Sequence, residues 1–418
     1  MAKKRKKRNN KPPRQQDLKL LRARYRNQFI GNIKLYIDMW LGENTFALLP
    51  KKDIELMYEM RFTPVRISPA PNTKISKKQL IAFNETQDVL FRTIELEITK
   101  GLPKIDLYVY STYFQTIYFY LNTLKEDYFD GAKEILSRYK KLEGVFELAM
   151  KKGVSLAQHV ARMIGLLYSD PQNCYYWLSE ELVFNYPRPQ GNYMLWKVNL
   201  EKPITHGFVA DKDKRPAAKF GIPMFAVGMV WKKLKPPDKG AFHWKDGLEV
   251  FIQAHAIKRL YERMAPIPKM LILYSLYHSF LKPKPFYENN SLLVPYHIDN
   301  IVTGYFRADI VDGKILLRTF LFLTNEGTPE ARRLKENTGL GKTDISYLNI
   351  NKTISFMQSD IRRNKRMKEI FTEAGCGGLF DLKLEDPSYT YGKILKLADQ
   401  MQKHLGMGDD GKGQQTPY

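Results

Sequence analysis

Tyr305 to Thr324 reads YFRADIVDGKILLRTFLFLT. Two runs rich in β-branched and aromatic residues flank Asp312-Gly313, a combination that predicts a hairpin closed by a two-residue type I′ turn. With that turn Val311 pairs with Lys314, and counting outward sets Arg307 directly opposite Arg318. Like charges facing each other across strands are destabilising unless something compensates them. Asp309, diagonal to Arg318 on the same face, is one compensator. The other is an anion held between the arginines, with Tyr305 and Phe320 on that face as a stacking surface.

Upstream, Val250 to Met264 reads VFIQAHAIKRLYERM, a short strand running into a helix. His255, Arg259 and Arg263 are spaced by four and share one helix face, while Ile257, Leu260 and Met264 form the inward stripe. An imidazole can relay protons near neutral pH, and guanidinium groups can hold a phosphate bidentately. The same spacing also suits an exposed amphipathic helix in which Glu262 supplies the counter-charge.

The order of elements is strand (Leu248 to Ile252), two helices (Ala254 to Met264, Lys269 to Leu281), strand (Leu292 to Ile298) and hairpin (Tyr305 to Thr324). With HAIKRLYERM on the first helix and a meander ending in LRTFLFLT, this stretch resembles the small toxin endoribonucleases of the RelE and BrnT kind. The resemblance covers Leu248 to Thr324, under a fifth of the chain. It implies one or two helices packed on a short antiparallel sheet, whose His, Arg and Lys residues cleave RNA without a metal. The motif His and Arg match His255 and Arg259, and Arg263 matches the second Arg that often follows. Arg307 and Arg318 are positional counterparts of the family's strand arginines. Such cleavage also needs a second acid or base, for which His297 and Tyr305 are the nearest candidates.

From Asp17 to Leu182 the periodicity predicts helices at Leu18 to Leu41, Lys77 to Thr99, Leu107 to Leu124, Gly131 to Leu142 and Leu156 to Leu167. Arg61 to Asn72, with three prolines, reads as a loop. The aromatic stretch Tyr108 to Tyr120 reads as a buried element. Beyond Phe184 shorter apolar runs predict strands at Tyr193 to Leu200, Ile222 to Leu234 and Leu248 to Ile252. Helix resumes at Thr328, an N-cap followed by Pro329, with Gly339 as its stop. The expected class is α+β: a basic arm (1–16), a mainly helical domain (17–182), an antiparallel-sheet α+β domain (183–327), C-terminal helices (328–405) and a tail (406–418).

Across 418 residues, 67 Lys plus Arg face 44 Asp plus Glu, a formal net charge of +23. A composition 44% hydrophobic and 13% aromatic builds a real core, which excludes wholesale disorder. Met1 to Arg14 holds eight basic residues and no acid, leaving +15 for the rest. Lys3, Lys4, Arg5, Lys6, Lys7 and Arg8 suit phosphate contacts by counterion release, although a merely solubilising terminus has the same composition. Thr205 to Lys245 carries nine basic residues against three Asp. Within it Trp231, Lys232, Lys233, Lys235 and Trp244 combine cations with aromatics, as single-strand nucleic-acid surfaces do. A hydrophobic strand with snorkelling lysines looks identical. A third cluster, Arg362 to Lys368, reads as a solvated helix face.

Several motifs fail on inspection. GLGKT at Gly339 to Thr343 lacks the earlier P-loop glycine, since position 336 is Glu336, and it follows a helix. Cys174 and Cys376 form no metal or disulfide pattern, which points to a reducing compartment. The seven His show no HExxH or H-x-E pattern, so neither metal nor cofactor is expected. The apolar runs are too short to span a bilayer, and the basic first residues lack the apolar stretch a secretory signal needs, so none is expected. The expectation is a cytoplasmic protein, nuclear in a eukaryotic host, acting on nucleic acid, RNA before DNA. The leading activity is a metal-independent endoribonuclease of toxin or defence type, with an antitoxin or other protein as a further partner. The alternative is a non-catalytic RNA- or DNA-binding factor, ribosome-associated or from a phage or mobile element.

Overall fold

The computed structural model describes residues 15–98, 101–183, 192–210, 213–238, 246–358, 361 and 363–382. The chain is α+β, with helices dominant up to Tyr168, a sheet-rich region after it and helices again at the end of the described residues. Helices α1 (Gln15–Leu41) and α2 (Lys51–Met60) precede strand β1 (Phe62–Pro69). Helix α3 (Lys77–Thr93) leads into the two-residue strands β2 (Glu95–Leu96) and β3 (Ile105–Asp106). Then α4 (Leu107–Val109), a π-helical stretch (Tyr110–Phe114) and α5 (Gln115–Thr123) run continuously, before α6 (Ala132–Lys140) and α7 (Glu143–Tyr168).

Strands β4 (Tyr175–Val183), β5 (Asn192–Glu201), β6 (Thr205–Ala210) and β7 (Asp213–Lys219) come next. They are followed by β8 (Gly221–Met224), β9 (Gly228–Trp231), β10 (Lys233–Leu234) and β11 (Leu248–Gln253). Helices α8 (Ala254–Met264) and α9 (Lys269–Ser279) lead to β12 (Phe286–Glu288), β13 (Ser291–Ile298), β14 (Ile301–Val311) and β15 (Lys314–Phe322). Four α-helices and a final 3-10 turn (Gly377–Asp381) close the described chain: α10 (Pro329–Thr338), α11 (Lys342–Tyr347), α12 (Thr353–Gln358) and α13 (Lys365–Glu373) come before that turn.

The described residues divide into two compact units, each gathered from separate segments. The first comprises Met1–Arg66, Phe91–Leu156 and Glu181–Leu195, and its core is an aromatic cluster in which Trp40 meets Phe114 at 5.3 Å and Phe146 at 6.0 Å. Tyr110 and Phe114 are buried, as the aromatic stretch predicts. The second comprises Ile67–Leu90, Ala157–Glu180 and Trp196–Tyr418, and it is built on a sheet ordered β12-β13-β14-β15-β11-β7-β6, with β10 also paired to β11. Every pair in that sheet is antiparallel except β11 with β15, which run parallel. That is what a strand separated from its neighbour by helices and a meander allows.

One face of this sheet is covered. Ala256, Ile257, Leu260 and Met264 of α8 are buried where the helix packs on β15, and α9 packs on β13. Phe306, Phe320 and Tyr296 interlock beneath them, with Phe306 and Phe320 ring centres 5.3 Å apart. Elsewhere on the sheet Phe208, Ala217, Phe251 and Leu316 form a smaller buried cluster.

The type I′ turn forms, since Asp312 and Gly313 both have positive φ (49° and 67°), and Val311 pairs with Lys314. The register does not run straight outward. A bulge between Arg307 and Ala308 leaves Ala308 opposite Leu317 and Arg307 opposite Thr319, so Arg307 and Arg318 are not a facing pair. One extra residue in β15 at this point shifts everything beyond it. The expected stacking surface fails for the same reason. Phe320 pairs with Phe306 and is fully buried in the helix-covered core, and Tyr305 is 6% exposed with its hydroxyl on Glu330 Oε1 at 3.1 Å.

Other boundaries also move. Most of Arg61 to Asn72 is strand β1, not a loop: Phe62, Val65 and Ile67 are buried, and Pro64 is tolerated because β1 is the outer strand of a sheet ordered β1-β5-β4. The run from Ile222 to Leu234 is the hairpin β8–β9 followed by β10, turned by Ala226 (φ 59°) and Gly228 (φ 99°). α3 stops at Thr93, and α7 begins at Glu143, a full thirteen residues before Leu156. Thr328 caps α10 by accepting from the Ala331 amide, and Gly339 ends it in the left-handed region. No helix among the described residues is long and apolar enough to cross a membrane.

Candidate functional site

The end of β11 opens into a cleft of ≈ 590 Å³ in the second unit, with Arg215, Gln253, His255, Arg307, Arg318 and Thr319 along its walls. These side chains come from β7, β11, α8, β14 and β15, so they meet only through strand pairing. His255 is the second residue of α8, at the corner where the chain leaves the sheet. Arg318 is in the bulge, a device that re-aims a side chain relative to the regular pleat. Arg307, Arg318 and His255 are thus brought together, although not by the facing pair expected from the turn.

Arg318 donates from Nη1 to Asp309 Oδ2 at 2.7 Å, and both side chains are about a third exposed (36% and 33%). Arg307 is exposed and takes part in no ion pair among the described residues. The His255 imidazole is exposed, and its pKa is pushed below the ordinary value, first by partial burial and then by the neighbouring Arg259 and Arg263 charges. It is therefore neutral near pH 7 and available as a proton acceptor.

The other arginines of the helix go elsewhere. Arg259 pairs with Glu262 at 2.8 Å, and half-buried Arg263 donates to the backbone carbonyl of Phe320. Burial and the Arg259 charge push the pKa of Arg263 down to about 10. Neither lines the cleft, because α-helical rise carries them about 6 and 12 Å along the axis from His255. A shared face is not a shared site.

Two cleft residues carry no strong local signal. Arg215 was one charge among nine in a basic stretch, and only the pairing of β7 with β11 sets it beside α8. Gln253 is 7% exposed and its Nε2 has no hydrogen-bond partner. A polar residue closing the apolar strand LEVFIQ was its one visible trace.

The aromatic-flanked basic stretch resolves largely into packing. Phe208 and Phe220 are fully buried, and Trp231 meets Tyr175 edge-on at 5.9 Å with the Lys219 ammonium 5.5 Å from its ring. Lys219 is itself paired with Glu249 at 2.6 Å. Half-buried Lys232 reaches the Leu281 carbonyl at 3.4 Å, and burial followed by the Arg162 charge lowers its pKa. Lys233 and Lys235 are exposed. Trp244, Arg362 and the arm residues Lys3, Lys4, Arg5, Lys6, Lys7 and Arg8 lie outside the described residues.

Neither candidate for a second proton carrier reaches the cleft. His297 is half-buried on β13, and Tyr305 is tied to Glu330. Cys376 is buried, which pushes its thiol up to about 12, and the GLGKT segment ends α10 and caps the short α11. Among the described residues no group of three or more His, Cys, Asp or Glu could hold a metal ion.

An imidazole and three guanidinium groups around one cleft on an α+β framework make a candidate anion-binding site. Comparison with protein-family models, with curated proteins and with solved structures found no match.

Proposed function

We propose that the protein acts on nucleic acid as a metal-independent endoribonuclease of toxin or defence type, with the cleft around His255 as its active site. The observation that carries this reading is the presence of His255, Arg307 and Arg318 in one cleft. The resemblance of Leu248 to Thr324 to toxin endoribonucleases adds to it, although β11 runs parallel to β15 where that resemblance implies an antiparallel sheet.

Neutral His255 takes the proton of a 2′-hydroxyl, and that oxygen attacks the adjacent phosphorus. The P–O5′ bond breaks, leaving a 2′,3′-cyclic phosphate and a 5′-hydroxyl; O5′ takes its proton from a solvent water, and the hydroxide so formed takes the proton held on His255. Arg307 and Arg318 stabilise the extra negative charge of the pentacovalent phosphate. The test is incubation of single-stranded RNA with the purified chain in EDTA, with products identified by mass. Intact RNA, or full cleavage by His255→Ala, overturns the enzyme. A binding-only reading is favoured by one observation, the single imidazole in the cleft, and salt-sensitive binding without cleavage is its signature.

A further inference from the structure

The cleft is larger than one phosphate requires. Its ≈ 590 Å³ is the liquid-volume share of about twenty waters. Arg307 and Arg318, from paired strands, already supply two guanidinium groups, enough to grip one phosphate. Arg215 reaches the cleft from the opposite side. In the antiparallel β7–β11 ladder Ala217 pairs with Gln253, the last residue before α8, and Arg215, two residues before Ala217 on β7, lines the cleft with His255. In the parallel β11–β15 ladder Ile252 pairs with Leu317, the residue before Arg318, so Arg318 lies beside the end of β11.

The order across the sheet is therefore Arg215, then the β11–α8 junction with His255, then Arg318, then Arg307. Neighbouring strands are about 4.8 Å apart, so the outer anchors stand about 14 Å apart at backbone level with the imidazole between them. Between the two flanks the floor is polar, because Gln253 is buried there with its Nε2 unpartnered.

We infer that the cleft binds a nucleic-acid strand through two consecutive phosphates: Arg307 and Arg318 hold the one beside His255, and Arg215 holds its neighbour. The ligand class is an oligonucleotide strand with at least two internucleotide phosphates, in preference to a nucleotide or a dinucleoside monophosphate. This rests on the phosphate-binding part of the proposed function and not on cleavage.

The probes are fluorescent 2′-O-methyl oligouridylates, which cannot be cleaved at the 2′-oxygen, carrying one, two or three phosphates. Their affinity for the full chain is measured by anisotropy across a salt series. The second phosphate is expected to tighten binding about tenfold and to steepen the slope of log affinity against log salt by about 0.7, while the third adds less. In Arg215→Gln the gain from the second phosphate falls below about threefold, and Arg215→Lys restores most of it as a point charge. A wild-type series with no step, or an equal step in Arg215→Gln, overturns the inference. The wild-type series needs no variant to fold. A step without RNA cleavage sinks only the nuclease, and cleavage without a step sinks only the two-phosphate cleft.

Discussion

Arg318 and Asp309 are joined across the β14–β15 hairpin by a 2.7 Å hydrogen-bonded ion pair at the edge of the cleft. Asp309 pairs with Arg318 although Arg307 and Arg318 do not face each other, and it would compete with an anion for the Arg318 guanidinium. The pair is about a third exposed on each side, so it contributes at most about 1 kcal/mol to stability. Replacing Asp309 with Asn removes the competitor. Oligonucleotide affinity should then rise about threefold to tenfold at low salt, read by anisotropy, with little change in unfolding temperature. Weaker binding by the variant would mean that Asp309 orients Arg318 for the ligand instead of competing for it.

Under the proposed mechanism, the lowered pKa of His255 sets the pH profile of cleavage. A general base works in its deprotonated form, so the rate should be flat through neutral pH and fall as pH drops through a value below 6.5. A rate that climbs as pH is lowered from 7 would assign His255 the role of acid.

Arg263 illustrates a charge retained for structure. Its guanidinium ties α8 to the Phe320 carbonyl on β15, outside the cleft. Arg263→Met leaves that carbonyl without its donor but also removes a poorly solvated cation. The net expectation is a loss of about 1 kcal/mol in stability, seen as a lower unfolding midpoint. Oligonucleotide affinity should stay within about twofold, and a tenfold loss would return Arg263 to the binding machinery.

His297 gives a stability readout independent of function. Burial holds its folded-state pKa below the ordinary value of 6.5, so the unfolded chain takes up a proton more readily. The stability that neutral His297 permits is full above about pH 6.5 and declines as pH falls from there toward the folded-state value. In His297→Gln the fall of unfolding temperature between pH 7 and 5 should be shallower. An unchanged slope would assign the acid sensitivity to other groups.

Local patterns carried much of the fold. The Asp312-Gly313 turn, the Thr328-Pro329 start and Gly339 stop of α10, and the amphipathic stripe of α8 are interactions within a few residues, and their chemistry is written consecutively. What misled was also local. Three prolines made β1 look like a loop, because a single sequence does not show whether a strand lies at an edge. The apolar run from Ile222 concealed a hairpin turned by Ala226 and Gly228.

By itself the sequence determined the α+β class, a basic body and the short list containing His255, Arg307 and Arg318. Tertiary structure decided which charges share a cleft. A bulge costs one residue of register and leaves no periodic trace, yet it separates Arg307 from Arg318 as a facing pair while keeping both on the cleft wall. Arg215 joins them from a strand distant in sequence, and Arg259 and Arg263 are carried away by helical rise. Charge type is a property of the residue, but convergence is a property of strand pairing, which depends on contacts that no local pattern encodes.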